Sequence, residues 1–222
     1  MRIRNLIVRY GATTALDIGE LTLKRGVCYA VIGANGCGKS TLARCIAGVI
    51  KPTSGEVGLQ PDDKVRYMPQ RSYAFYGSTL SNVMLGVNAT AHGKERARML
   101  IDALNLTTVA RQGAKQLSGG QTARMALART LVGQGTWLVL DEPTAALDSG
   151  SMLAAEGLIR SYRDEFDAGV ILITHSLKQA KRVSDQLVFM ENGHVVEQGE
   201  TKRLIDDPQT PALTRFLELF GA

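Results

Sequence analysis

Gly33-Ala34-Asn35-Gly36-Cys37-Gly38-Lys39-Ser40-Thr41 is the stretch on which the reading of this chain turns. It fits Gly-x-x-x-x-Gly-Lys-Ser/Thr, the pattern of a phosphate-binding loop. Residues 27–32, Val-Cys-Tyr-Ala-Val-Ile, read as a short buried strand leading into it. Beyond it Leu42, Ile46 and Val49 recur at helical spacing, with Gly48 near that helix's end. The loop therefore joins a strand to a helix N-terminus. Glycines let the backbone approach an anion and turn its N–H groups inward, and the helix start adds partial positive charge. Lys39 is placed to reach the β- and γ-phosphates of a nucleotide, and the Ser40 hydroxyl to meet Mg²⁺. The plainer alternative is a glycine-rich turn that happens to precede a helix. It leaves the strand, the Lys-Ser-Thr and the helix unexplained as a set.

A chain of 222 residues can bury a full core, as one large domain or as one with an inserted lobe. Its 45% hydrophobic and 21% charged residues are an ordinary globular balance. The formal charge of +5 comes without any block of five like charges, so scattered solvated side chains are expected, and no nucleic-acid partner. Cys28, Cys37 and Cys45 are odd in number and form no C-x-x-C pair, which suits a reducing compartment. No run reaches 18 apolar residues, and Met1-Arg2-Ile3-Arg4-Asn5 lacks a signal peptide's apolar stretch. The expectation is a cytoplasmic protein that meets a membrane only through a partner.

Residues 2–9 read as a half-buried strand, and Leu16, Ile18, Leu21 and Leu23 as a returning one. Such a ribbon before a phosphate loop is unusual for a simple nucleotide kinase. It sets Tyr10 where its ring either stacks on a base or merely ends a strand. Strands follow at residues 56–59 and 65–68, the latter closing on Pro69-Gln70. From Ser72 to Gly93 there is no charged residue, and Tyr73, Phe75 and Tyr76 open that stretch. Those rings either pack internally or form a docking surface. Residues 94–106, with Ala97, Leu100, Ile101 and Leu104 on one face, predict an amphipathic helix, and residues 121–132 a second. Residues 72–133 thus read as a helical lobe inserted into an α/β core.

The core resumes with the apolar strand Trp137-Leu138-Val139-Leu140 ending in Asp141-Glu142-Pro143, and with residues 170–173 ending in Thr174-His175. Leu187 to Glu197 carries Asn192-Gly193 between two apolar runs, a hairpin signal. Buried parallel strands deliver polar residues to their carboxyl ends. Asp141 is the expected Mg²⁺ partner, usually through water. Glu142 is placed to orient or deprotonate an attacking water, and His175 to bond the γ-phosphate or that water. Taken singly, His175 reads equally as a core histidine, and Gln70 carries no signal. Leu117-Ser118-Gly119-Gly120-Gln121 opens a helix with a good N-cap and two glycines, a second anion cradle with no evident anion of its own.

Together these stretches resemble the nucleotide-binding subunit of an ATP-binding-cassette (ABC) transporter, in the right order over essentially the whole chain. By that resemblance Tyr10 is the adenine-stacking aromatic, Gly33 to Thr41 the Walker A loop, and Gln70 the Q-loop glutamine that also serves the metal. Ser118, Gly119, Gly120 and Gln121 belong to the signature sequence, Asp141 and Glu142 to Walker B, Ala145-Ala146-Leu147-Asp148 to the D-loop, and His175 is the switch histidine. The implied fold is α/β: a P-loop NTPase core with an antiparallel β-subdomain, from residues 1–71 and 134–222, and an inserted α-helical subdomain over 72–133. The implied cofactors are ATP and Mg²⁺. Two cassettes pair head to tail, so Ser118 and Gly120 act on the nucleotide of a second copy or of a paralogous ATPase subunit. Hydrolysis through Glu142 drives integral membrane permease subunits, and indirectly a solute-binding protein, from the inner face of the cell membrane.

The D-loop has Ala145 where serine is commoner, and Thr122-Ala123 replaces the polar pair usual after the signature. With no fused membrane domain and no acidic exporter loop before the signature, an importer subunit is the leading expectation. The stretch Arg66-Tyr67-Met68-Pro69-Gln70 resembles subunits serving small oxyanions such as tungstate. An ABC ATPase of DNA repair or translation, and an exporter component, are the alternatives; neither a coiled-coil insertion nor a second cassette is present to support the former.

Overall fold

The computed structural model describes residues 1–88 and 90–220. The ribbon expected at the start is the middle and one edge of a three-stranded antiparallel sheet. Strand β1 (Arg2–Tyr10) lies between β2 (Thr13–Thr22) and β4 (Ser54–Gly58). Its inward residues Ile3, Leu6 and Val8 are buried while Arg2 and Arg4 face solvent; the strict alternation breaks at Asn5, whose φ of 46° and the register shift beside it mark an irregularity in the strand.

The second sheet contains six strands and places the site. From edge to edge it runs β5 (Val65–Met68), β6 (Trp137–Asp141), β7 (Gly169–Ile173), β3 (Cys28–Ile32), β8 (Gln186–Glu191) and β9 (His194–Glu200). All neighbours are parallel except β8 and β9, which form the hairpin that Asn192-Gly193 signals. β3, β6 and β7 are buried at every residue, as strands covered on both faces must be. Their side chains split by parity. Leu138, Leu140, Val170 and Leu172 enter one core, while Trp137, Val139, Ile171 and Ile173 enter another, shared with β1, β2 and the helix after the phosphate loop.

Between β5 and β6 the chain is helical: α2 (Thr79–Met84), α3 (Ala91–Ala103), two 3₁₀ turns and α4 (Gly119–Leu131). The first lies in the uncharged stretch, where its six residues are too few to show a period. The other two begin earlier than their apolar spacing predicts. Thr90 accepts the Gly93 N–H and Ser118 that of Gln121, so side-chain caps set their starts. Arg66 of β5 donates to the Arg129 and Thr130 carbonyls at 3.0 and 3.2 Å, closing the C-terminal end of α4. Helix α5 (Ser149–Phe166) and α6 (Leu177–Val183) flank β7, and α7 (Thr201–Asp206) and α8 (Pro211–Phe220) close the far edge.

Candidate nucleotide-binding and catalytic site

The phosphate loop runs from β3 into α1 (Lys39–Ile46). Gly33, Gly36 and Gly38 have φ of 149°, 79° and 105°, conformations that side chains rarely adopt. At Gly33 a Cβ would lie 2.1 Å from the Met190 carbonyl oxygen, so only glycine fits. The β8–β9 hairpin buttresses the loop: Gly193 N–H donates to Cys37 O at 3.0 Å, and the Gly193 carbonyl accepts from Asp17 N–H at 2.9 Å. The buried Lys39 ammonium donates to the Gly33 and Ala34 carbonyls, each at 2.8 Å. Those are weak enough partners for a triphosphate to replace.

The loop forms one wall of a cleft of about 370 Å³, with Asn35, Gly36, Gly38, Lys39, Ser40 and Thr41 facing in. Gln70, Glu142 and His175 form the other wall. Their convergence follows from sheet order, because β6 and β7 are neighbours and Asp141 lies in register with Ile173. Glu142 N–H donates to the Ile173 carbonyl at 3.0 Å, and its backbone then turns left-handed at φ 52°. That conformation costs a non-glycine residue roughly 1–2 kcal/mol. It brings the Glu142 carboxylate 2.5 Å from His175 Nε2.

Asp141 does not line the cleft but lies buried behind it, near Ser40, Glu142 and Lys39. It is buried, and neither carboxylate oxygen has a hydrogen-bond partner among the described residues. Burial pushes its carboxyl above the usual carboxylate range; Ser40 lies near enough to ease this without meeting hydrogen-bond geometry, while Glu142 adds to it. An unpartnered buried carboxylate beside a serine hydroxyl fits a hard, oxygen-seeking cation that keeps several of its waters. The described residues contain no cluster of three His, Cys, Asp or Glu that would cage a metal alone. The donor set therefore fits Mg²⁺ shared with phosphate oxygens and water.

A family model described as ABC transporter matches residues 16–145. The chain belongs to the ABC transporter family. It is 38% identical over 193 residues to the aliphatic sulfonates import ATP-binding protein of Burkholderia lata, covering 84% of this chain and 60% of that protein. It is 32% identical over 231 residues to the sulfate/thiosulfate import ATP-binding protein of Synechococcus elongatus, covering 98% and 67%. The chain thus spans about three fifths to two thirds of these relatives' lengths. The dimeric structure of an ATP-binding cassette in a post-hydrolysis state, bound to ADP and Pi, superposes with a TM-score of 0.78 at 26% identity. That match covers 90% of this chain and 98% of the other. The α/β architecture with an antiparallel sheet and helices is that of the ABC cassettes.

Two groups of residues matched to ABC motifs lie outside the cleft of this single chain. Tyr10 ends β1, half exposed, and Ala15 is the ribbon residue that reaches the cleft. Ser118, Gly119, Gly120 and Gln121 head α4 on the other side of Gln70 and Glu142, where Gly119 lines a neighbouring cleft with the D-loop alanines Ala145 and Ala146. There Ser118 Oγ accepts from Gln121 N–H at 3.3 Å, and Gln121 Oε1 from Ser118 N–H at 2.9 Å, a reciprocal cap. Among the described residues the Ser118 hydroxyl donates to no acceptor. Cys37 is buried beneath the loop, its sulfur 3.7 Å from Lys39 Nζ, so it shapes the cradle from within. Reading by motif missed the hairpin buttress at Gly193, whose Asn-Gly pair signals a turn but not what the turn touches. It also missed Thr144 and Gln179, described below.

Proposed function

We propose that this chain is the ATP-hydrolysing subunit of an ABC importer, working as a pair around two ATP and driving separate permease subunits. The observation that carries the reading is Glu142, beside the metal-seeking Asp141 and 2.5 Å from His175 Nε2, facing the phosphate loop across one cleft. The loop amides hold the phosphates, and Lys39 moves from its own loop's carbonyls onto the β- and γ-phosphates. Ser40, with Asp141 and Gln70 acting through water, would hold Mg²⁺, which supplies charge neutralisation on the phosphate oxygens. Glu142 orients and deprotonates the attacking water, and His175 bonds the γ-phosphate while holding the Glu142 carboxylate. Charge building on the γ-phosphate meets the loop amides, Lys39 and the helix start, which are in place beforehand. Tyr10 takes the adenine. Ser118 and Gly120 of a second copy, or of a paralogous subunit, close over the γ-phosphate, which explains why they stand outside their own cleft.

The relatives' names support import of a small oxyanion-bearing solute over DNA repair, translation or export, and with it an upstream solute-binding protein. Among the described residues no helix is long and apolar enough to cross a membrane. The membrane is reached through a partner, from its cytoplasmic face. Residues 72–133, read as an inserted helical lobe, present the contact. Tyr73, Phe75 and Tyr76 are 51%, 53% and 87% exposed, each beneath a cation: Arg71, Arg129 and Lys115 respectively. The decisive test is Glu142→Gln. Loss of a positioned general base lowers hydrolysis by about 100-fold or more, while ATP with Mg²⁺ accumulates a dimer on gel filtration. Retained hydrolysis, or monomer alone, refutes the assignment.

A further inference from the structure

A buried polar network behind the cleft is used by none of the chemistry above. Its centre is Gln179 on α6, only 1% exposed. Its amide nitrogen donates to Thr144 Oγ1 at 2.9 Å and to Glu156 Oε1 at 3.1 Å, and its amide oxygen accepts from Thr174 Oγ1 at 2.7 Å. The orientation of that amide is forced, because the Glu156 carboxylate only accepts and so must face the nitrogen. Glu156 is itself held by Arg182, which donates to both oxygens at 2.7 and 3.0 Å. Thr144, Thr174, Glu156 and Gln179 are all at least nine-tenths buried.

The spokes end at informative places. Thr144 stands two residues past Glu142, on the turn that Leu147 N–H closes onto the Thr144 carbonyl. Thr174 immediately precedes His175, and its hydroxyl oxygen also accepts from Ser176 N–H at 3.1 Å, bracketing the histidine. The backbone N–H of Gln179 in turn donates to Ser176 Oγ at 3.1 Å. One amide therefore spans the loop carrying Glu142 and the loop carrying His175. We infer that Gln179 is a positioning residue whose side-chain amide fixes the Glu142 carboxylate and the His175 imidazole relative to each other. Both loops leave separate strands, and among the described residues no other side chain bonds Thr144 and Thr174 together. The burial of four polar side chains there is costly unless every partner is kept, and the network returns alignment of the two groups that face the water and the γ-phosphate.

The inference rests on the ATPase reading, and the experiment separates the two. ATP hydrolysis by the full chain is measured for wild type, Glu142→Gln, Gln179→Met, Thr144→Val and Thr144→Ser, each with its thermal midpoint. Misplacement of reacting groups by an ångström costs up to about 100-fold. Gln179→Met and Thr144→Val should therefore lower kcat about tenfold or more, with KM for ATP within about twofold because no phosphate contact is touched. Thr144→Ser, which keeps the hydroxyl, should recover most of the rate. The threonine series serves if Gln179→Met does not fold. Should Glu142→Gln hydrolyse like wild type, the ATPase assignment itself fails. If Glu142→Gln is inactive while folded Thr144→Val and Gln179→Met turn over at the wild-type kcat, only the positioning role is overturned. Thr144→Ser falling as far as Thr144→Val overturns it as well.

Discussion

Replacing Asp141 by asparagine should make the nucleotide-free protein more stable while disabling it. The wild-type carboxylate is buried with both oxygens unpartnered among the described residues, and burial raises its pKa. A raised folded pKa means that the group's contribution to stability is complete below the ordinary carboxylate value of 3.8 and is lost as pH rises through the folded value. Once the group ionises, the fold therefore carries an unfavourable buried charge. An unsatisfied buried polar group costs about 1–3 kcal/mol, more when charged, and the neutral amide removes the charged part. The amide keeps that neutral cost, and for a chain of 222 residues each kcal/mol gained from removing the charge raises Tm by roughly 2–4 °C. The assay is thermal unfolding in EDTA from below the ordinary carboxylate value of 3.8 up to neutral pH, followed by circular dichroism. Wild type should lose stability relative to Asp141→Asn as pH rises. Adding ATP and Mg²⁺ should reverse the order, because ligand that binds only the folded state stabilises it and the variant lacks a metal-facing carboxylate. A variant that melts at or below the wild-type temperature in EDTA at neutral pH refutes the account of Asp141 as a carboxylate awaiting a cation.

Gly33→Ala places a Cβ 2.1 Å from Met190 O and 2.8 Å from Cys37 Sγ at a φ of 149°. It should abolish nucleotide binding and destabilise the chain by about 1–3 kcal/mol, the cost of a strained backbone position; unchanged binding of a fluorescent ATP analogue would contradict the close packing of loop on hairpin. Tyr76→Asp, at an 87% exposed position, should leave Tm within about 1 °C, as surface changes do, yet abolish co-purification with the membrane subunits. Undiminished co-purification argues against the docking surface.

Much of the site is legible in the sequence because its chemistry is local. The glycine spacing, the lysine and the helix start lie within nine consecutive residues, and each catalytic side chain stands within two residues of a strand's end. Strand order is not local. Nothing in Trp137 to Asp141 or Gly169 to Ile173 says that these two strands pair with each other, and that pairing decides that Glu142 and His175 meet. Helix starts depart from the apolar period where a cap outruns it, as at Thr90 and Ser118. The role of Gln179 escapes sequence reading altogether, since a glutamine on a helix is ordinarily a solvated residue and only tertiary burial makes it a hub. The aromatic trio poses a choice between core packing and a docking surface that sequence leaves open, and exposure removes the first: the rings are not part of the core.

The cradle's floor has a consequence for how the protein is made. Gly33 rests on Met190 and the loop is bonded to Gly193, while β3 lies between β7 and β8. A nascent polypeptide leaves the ribosome with its phosphate loop already synthesised but with neither supporting strand yet in existence. Since domains acquire their contacts in step with translation, the loop stays unformed until Met190 and Gly193 have emerged. A stalled fragment ending before β8 should accordingly bind no nucleotide, although every residue of its Walker A sequence is intact.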